Sequence, residues 1–206
     1  MAGASGAAMT PPLAFTWPYA VAFGAVYAWT FVPEFRIVRQ AAADARRPDS
    51  LDAGSYRLIR TGSGLANMAA FNLAFVRGWQ VASPWREWWF GVGLVVIVLG
   101  SLLRRHCWSV LGEHFKGAVT VRADQPVIDR GAYRLIRHPS YLAALVLYLG
   151  VGLTLGSWAS LGLLVVTTFP IYHYRMNVEE RALEAVLGER YTTFKRGRQR
   201  LVPFVY

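Results

Sequence analysis

Two short polar knots hold most of the side chains in this sequence that are suited to chemistry. The first is Arg137-His138-Pro139-Ser140-Tyr141, and the second is Arg175 with Glu179-Glu180 one turn later. Between them runs an almost unbroken apolar tract, residues 141–174, whose length fits a hairpin of two helices. Such a hairpin returns the second knot to the side of the first. Glu179 is suited to accept hydrogen bonds from hydroxyl groups or an ammonium. Arg175, four residues earlier on the same helical face, is suited to pair with a carboxylate. No strong nucleophile accompanies them. Cys107 is the only cysteine, and the spacing of His106, Cys107 and His114 fits no familiar zinc pattern, so no metal is expected. The residue types suit a site that grips and aligns two partners and keeps water out. Blander roles stand beside these. His138 could simply cap a helix, Arg175 and Glu179 could form a solvated pair worth little, and Glu180 could merely neutralise nearby arginines.

The elements that must position these knots have the composition of membrane helices. Of the 206 residues, 54% are hydrophobic. They collect in four stretches, residues 15–32, 62–82, 88–103 and 141–174. A bilayer crossing takes about 20 apolar residues, so the last stretch is too long for one crossing and right for two short ones. The expected fold is all-α: a polytopic membrane protein of about five transmembrane helices, with a C-terminal helical hairpin and a cytoplasmic cofactor pocket. It reads as one membrane domain, residues 1–206, with three helices in 1–103 and the chemistry-bearing core in 104–206. The net charge of +10 is a topology signal rather than a nucleic-acid footprint: 20 of the 22 Lys and Arg residues fall in segments 35–60, 104–139 and 174–206. Five helices put those segments on one side, which the positive-inside rule makes cytoplasmic. The N-terminus is then outside, the C-terminus cytoplasmic, and the basic face lies against anionic membrane lipids. No nucleic acid partner is implied.

Local signals divide the chain further. Residues 1–12 read as a frayed tail without a signal peptide's basic start. The first helix is expected to end near Pro33, the second to run over 62–82, and the third from about Trp88 to Arg105 with fraying to Phe115. Trp85, Trp88 and Trp89 suit a membrane interface. Pro139 opens the fourth helix, and Gly156-Ser157 reverses the chain. The fifth helix is expected to continue past Tyr174 to Leu187, where Gly188 ends it and Leu183 and Leu187 pack it back on the body. Gly152, Gly156 and Ser160 let the last two helices approach closely. Asn67, on the second helix, is a candidate wall of an acceptor groove. One internal echo is present: Asp52-Ala53-Gly54-Ser55-Tyr56-Arg57-Leu58-Ile59-Arg60 matches the nine residues from Asp129 to Arg137 at seven positions. A shared lead-in to a membrane helix accounts for it, and of the two copies the second is the better candidate for chemistry.

The second half resembles the isoprenylcysteine carboxyl methyltransferase family of membrane enzymes. The shared pattern is Gly131-Ala132-Tyr133-Arg134, then Arg137-His138-Pro139-Ser140-Tyr141, then Arg175 to Glu180. Gly188 to Tyr191 and Leu201-Val202-Pro203-Phe204 complete it. The resemblance implies transfer of a methyl group from S-adenosyl-L-methionine to a lipophilic or lipidated acceptor, isoprenoid or carboxylate-bearing. It implies cofactor contacts from Thr120, Gln125, Val127, Ile128, Tyr133, His138, Pro139, Ser140, Tyr141 and Glu179, and acceptor contact from Arg175. Arg175 and Glu179 are the candidate catalytic pair. The loop before Val127 is shorter than in relatives that act on prenylated proteins. The richness in Ala, Gly and Arg hints at a bacterial inner membrane. Two other readings stand: an NADPH-dependent membrane reductase of the sterol-reductase type, which shares a similar Arg-His-Pro-x-Tyr segment, and a non-catalytic membrane scaffold.

Overall fold

The computed structural model describes residues 11–48 and 50–202, apart from the side chain of Arg36. The tail up to residue 10 and the closing Pro203-Phe204 of the shared pattern lie outside the described residues. Seven α-helices follow in chain order: α1 Tyr19–Asp44, α2 Ser55–Leu58, α3 Gly64–Leu73, α4 Arg86–Leu111, α5 Pro139–Thr154, α6 Trp158–Leu187 and α7 Glu189–Arg196. A π-helical turn, Ile59–Ser63, joins α2 to α3. The described residues contain no strand, only two isolated bridges, Gln80 with Ser157 and Ile136 with Gln199.

The C-terminal hairpin forms where its sequence signals put it. Pro139 is the first residue of α5, where its missing N–H costs nothing. Gly156, at φ +61°, makes the reversal, and the Ser157 hydroxyl caps α6 by accepting from Ser160 N. The first half departs from expectation. α1 does not stop at Pro33 but runs on to Asp44. A proline removes one helical hydrogen bond, and good helix-forming sequence beyond it, tied at Tyr56 Oη to Val38 O (2.7 Å), keeps the helix going. The second helix begins early, at Ser55, because Asp52 Oδ2 accepts from Tyr56 N at 2.8 Å and starts the turn. It also ends early, at Leu73, and residues 77–79 form a separate 3₁₀ turn. Residue 12 is not frayed: Pro12 is buried, and Arg86 Nη2 donates to Pro11 O at 2.8 Å.

Helix packing sets the core. Phe23 of α1, Ala70 of α3, Ile97 of α4, Leu147 and Val151 of α5 and Leu164 of α6 form one buried cluster. The closest approach joins α4 to α5. A Cβ on Gly93 would lie 2.3 Å from Thr154 Oγ1 and 2.5 Å from Thr154 N, and one on Gly150 would lie 2.7 Å from Ile97 N. Gly152 lets Leu161 of α6 approach in the same way, as its spacing suggested. Ser160 does not share that contact: its hydroxyl crosses to Ala70 O of α3 at 2.7 Å. The outward faces stay apolar, with Trp88, Val95 and Leu99 of α4 exposed. By length and composition, the helix Tyr19–Asp44 and the stretch Arg86–His114 can cross a membrane. α3, with 10 residues, and α5, with 16, are short for a crossing, and α6 carries its charges in its second half.

Candidate active site

The first polar knot is held rigidly before it reaches α5. Residues 136–138 run alongside residues 199–200: Arg137 N donates to Gln199 O (2.9 Å) and His138 N to Arg200 O (3.0 Å). That pairing turns the buried His138 ring toward α6, where Nε2 lies 3.0 Å from Glu180 Oε1. Glu180 is a charge hub. Arg200 Nη2 donates to its Oε2 at 2.9 Å, Lys195 Nζ lies 3.6 Å from the same oxygen, and Arg137 Nη1 is 2.9 Å from Oε1 without hydrogen-bond alignment. Burial pushes the Glu180 pKa up, but hydrogen bonds from His138 and Arg200 and the charge of Arg137 outweigh it and hold it at about 2. Glu180 is 3% exposed and lies off the cavity wall. Its position is that of a neutraliser that locks the two knots together.

Glu179, one residue earlier, faces the other way. Its Oε2 accepts from Tyr141 Oη at 2.5 Å, and Tyr141 Oη in turn accepts from Arg175 Nε at 3.0 Å. The i, i+4 geometry of α6 therefore makes Arg175 and Glu179 neighbours across one tyrosine. Arg175 lies on the cavity wall, but its charge is already matched. Nη1 pairs with Asp52 and donates to Ser55 Oγ (2.7 Å), and Nη2 donates to Gly117 O (2.8 Å). The carboxylate that Arg175 meets in this structure is thus the protein's own Asp52. A second, partly buried pair also lines the cavity: Arg104 binds Glu34 at 2.8 and 3.2 Å, and its Nη1 reaches both Ser140 Oγ and Ser140 O.

These groups surround a single large cavity of about 500 Å³. Thr120, Gln125, Val127, Ile128 and Tyr133 line it from the 115–134 segment, His138, Ser140 and Tyr141 from the start of α5, and Arg175 and Glu179 from α6. Asn67 lines it from α3, with Nδ2 donating to Tyr27 Oη at 2.8 Å and Oδ1 left without a partner. Pro139 is the exception. It is buried behind the wall and serves to start the helix. Toward the C-terminus the cavity narrows into an apolar recess of Val127, Leu183, Leu187 and Phe194, beside which the Tyr191 hydroxyl is buried without a hydrogen-bond partner. Among the described residues no cluster of three His, Cys, Asp or Glu side chains is placed to hold a metal.

The sequence reading gave no site role to Glu34, Asp52, Arg104 or Tyr191, although Tyr191 ends the Gly188 to Tyr191 segment of the shared pattern. For Asp52 a signal existed. It opens the first copy of the nine-residue echo, and both copies reach the cavity, through Tyr56 and Arg60 in one and Tyr133 and Arg137 in the other. Glu34 and Arg104 carried a weaker one, each being a charge at the edge of an apolar helix.

Comparison with known proteins supplies the family. The phospholipid methyltransferase family model matches residues 88–190, half of the chain. Protein-S-isoprenylcysteine O-methyltransferase B of Arabidopsis thaliana is 28% identical over 123 residues, 58% of this chain and 62% of the relative. The Tribolium castaneum protein-S-isoprenylcysteine O-methyltransferase is 24% identical over 121 residues, 58% of this chain and 43% of that one. The chain thus matches about three fifths or less of these relatives' length. In fold it is similar to the solved eukaryotic intramembrane Ras methyltransferase, isoprenylcysteine carboxyl methyltransferase, with a TM-score of 0.60 at 18% identity over 95% of this chain and 69% of that one. Both polar knots and the hairpin between them fall inside the matched half, and the chain belongs to the phospholipid methyltransferase family.

Proposed function

We propose that this protein is an integral-membrane methyltransferase that uses S-adenosyl-L-methionine and acts on a lipophilic acceptor. The observation that carries the reading is convergence. Twelve residues were expected at the site from sequence, and all but Pro139 line one cavity. The donor set fits the cofactor. The apolar recess beside the unpartnered Tyr191 hydroxyl suits an adenine ring. Glu179, its side chain 32% exposed, is free on one side to accept from ribose hydroxyls or an ammonium. When bound, the sulfonium donor supplies an already reactive methyl group. The protein's share is to orient and to exclude water: His138 and Tyr141 are fixed by the two glutamates, and aromatic side chains close the chamber. The part of the cavity bounded by Tyr27, Phe31, Asn67 and Tyr148 is mostly aromatic, which suits an acceptor arriving sideways from lipid.

Two results test this reading. S-adenosylhomocysteine should raise the apparent thermal midpoint of the detergent-purified protein, and NADPH should not. A ligand specific to the folded state adds about 2.7 kcal/mol at a hundred times its dissociation constant. Stabilisation by NADPH alone would place the chain among the reductases, and no response to either would favour a scaffold. The second result concerns orientation. We infer five spans, with the N-terminus outside and the basic face cytoplasmic, in a bacterial inner membrane. In a Cys107→Ser background, Ser83→Cys should react with an impermeant thiol reagent in intact cells, and Ala123→Cys only after permeabilisation. Both sites are exposed on the protein, so reaction of Ala123→Cys in intact cells would overturn the orientation.

A further inference from the structure

Asp52 lies outside the matched family segment and is not among the residues expected at the site, yet it is the most heavily bonded carboxylate among the described residues of the first half of the chain. It is 4% exposed. Oδ2 accepts from Tyr56 N at 2.8 Å, and Oδ1 accepts from Val119 N at 3.1 Å, from Ser55 Oγ at 3.2 Å and from Arg175 Nη1. Burial opposes its charge, but the bond from Tyr56 N, the charge of Arg175 and the bond from Val119 N outweigh this and hold the carboxyl below its usual range. The backbone beside it is strained in its favour. Ala53 sits at φ +46°, a left-handed conformation that a residue with a Cβ rarely adopts, and Gly54 follows at φ +75°. Tyr174 Oη donates to Ala53 O at 3.0 Å and holds the turn against α6. After the short helix α2 comes the π-helical turn, a feature that concentrates at functional sites. The second copy of the echo does nothing comparable: Asp129 pairs with Arg198 on the surface.

We propose, building on the methyltransferase reading, that Asp52 is a positioning residue of this site. It is the counter-ion that turns Arg175 inward to hold Tyr141 and Glu179, and it takes up the charge that would otherwise anchor an acceptor's carboxylate. The chain of contacts is continuous. Asp52 fixes the Arg175 guanidinium, Arg175 Nε donates to Tyr141 Oη, and the tyrosine proton is thereby directed at Glu179 Oε2. With three guanidinium nitrogens committed to protein oxygens, Arg175 acts as a strut between the two halves of the chain. An anionic acceptor would have to find its cation elsewhere on the cavity wall, where Arg60 and Lys116 are exposed.

The test combines Asp52→Asn, Arg175→Gln and the double variant in detergent-purified full-length protein. Two quantities are read: the apparent midpoint without ligand, and the dissociation constant for S-adenosylhomocysteine well below every midpoint. Asp52→Asn keeps the side chain's shape and removes its charge. It should weaken S-adenosylhomocysteine binding about tenfold, the scale of a hydrogen bond to a charged group. The double variant should bind no more weakly than Arg175→Gln alone and should melt above Asp52→Asn, because it leaves no buried charge unpaired. If Asp52→Asn cannot be recovered but the charge-neutral double variant can, the counter-ion assignment stands on that result. Additive midpoints would overturn the pair. Coupled midpoints with unchanged affinity in Asp52→Asn would reduce Asp52 to a purely structural role and overturn the proposal. Failure of the wild-type protein to bind S-adenosylhomocysteine is a separate outcome, which sinks the methyltransferase reading while the midpoint cycle still decides the pair.

Discussion

Replacing Glu179 by Gln is expected to weaken S-adenosylhomocysteine binding by tenfold or more. The argument is local. Of the two carboxylates on the cavity wall, Glu34 is bound twice by Arg104, whereas Glu179 is the more exposed and its only side-chain hydrogen bond among the described residues comes from Tyr141. A hydrogen bond accepted by a charged group is worth roughly 1.5–3 kcal/mol, and Gln keeps the volume while removing the charge. Calorimetric titration of the purified variant measures the loss directly. Glu180→Gln is the informative contrast. That residue is off the wall and neutralises His138, Arg137, Arg200 and Lys195, so its loss should lower the midpoint first. An unchanged dissociation constant in Glu179→Gln would remove this residue from the donor site.

Gly93→Ala, a change of one methyl group, is expected to cost more stability than the same change at the other glycines of α4, Gly91 and Gly100. The added Cβ would meet Thr154 Oγ1 at 2.3 Å, Thr154 N at 2.5 Å and Thr154 Cα at 2.8 Å. Two of these are backbone atoms of α5 and cannot rotate away, so the helices must part. Overpacking typically costs about 1–3 kcal/mol, occasionally more, and this site is at the upper end because no flexible side chain can yield. The consequence reaches the chemistry, since α5 carries His138, Ser140 and Tyr141 at its other end. Gly91→Ala is the matched control, with nothing within 4 Å of the added atom. It should be neutral or slightly stabilising, because Ala is the better helix former. Thermal midpoints in the same detergent compare the two, and equal midpoints would show that α4 and α5 are not locked at Gly93.

The sequence by itself determined the C-terminal hairpin and the meeting of the two knots. Those outcomes rest on local physics: a proline that can only begin α5, a glycine that alone tolerates the reversal at residue 156, a glycine that ends α6 at 188, and apolar lengths that bring both ends of a hairpin to one side. Once the ends coincide, His138 with Glu180 and Tyr141 with Glu179 need only the right helix faces, which a period of 3.6 residues supplies. The tertiary structure decided what meets the hairpin from the first half. An almost uniformly apolar helix carries little periodic signal about which face turns inward, so nothing in the order of residues showed that Arg104 would reach Glu34 and Ser140. Nor could a rule for proline foresee that α1 would pass through Pro33, because contacts made far along the chain repay the one lost hydrogen bond. Asp52 is the clearest case. In sequence it is one acid in a basic segment, and its partner lies 123 residues away on α6. Its role exists only once the helices have packed and left Arg175 no solvent to balance its charge.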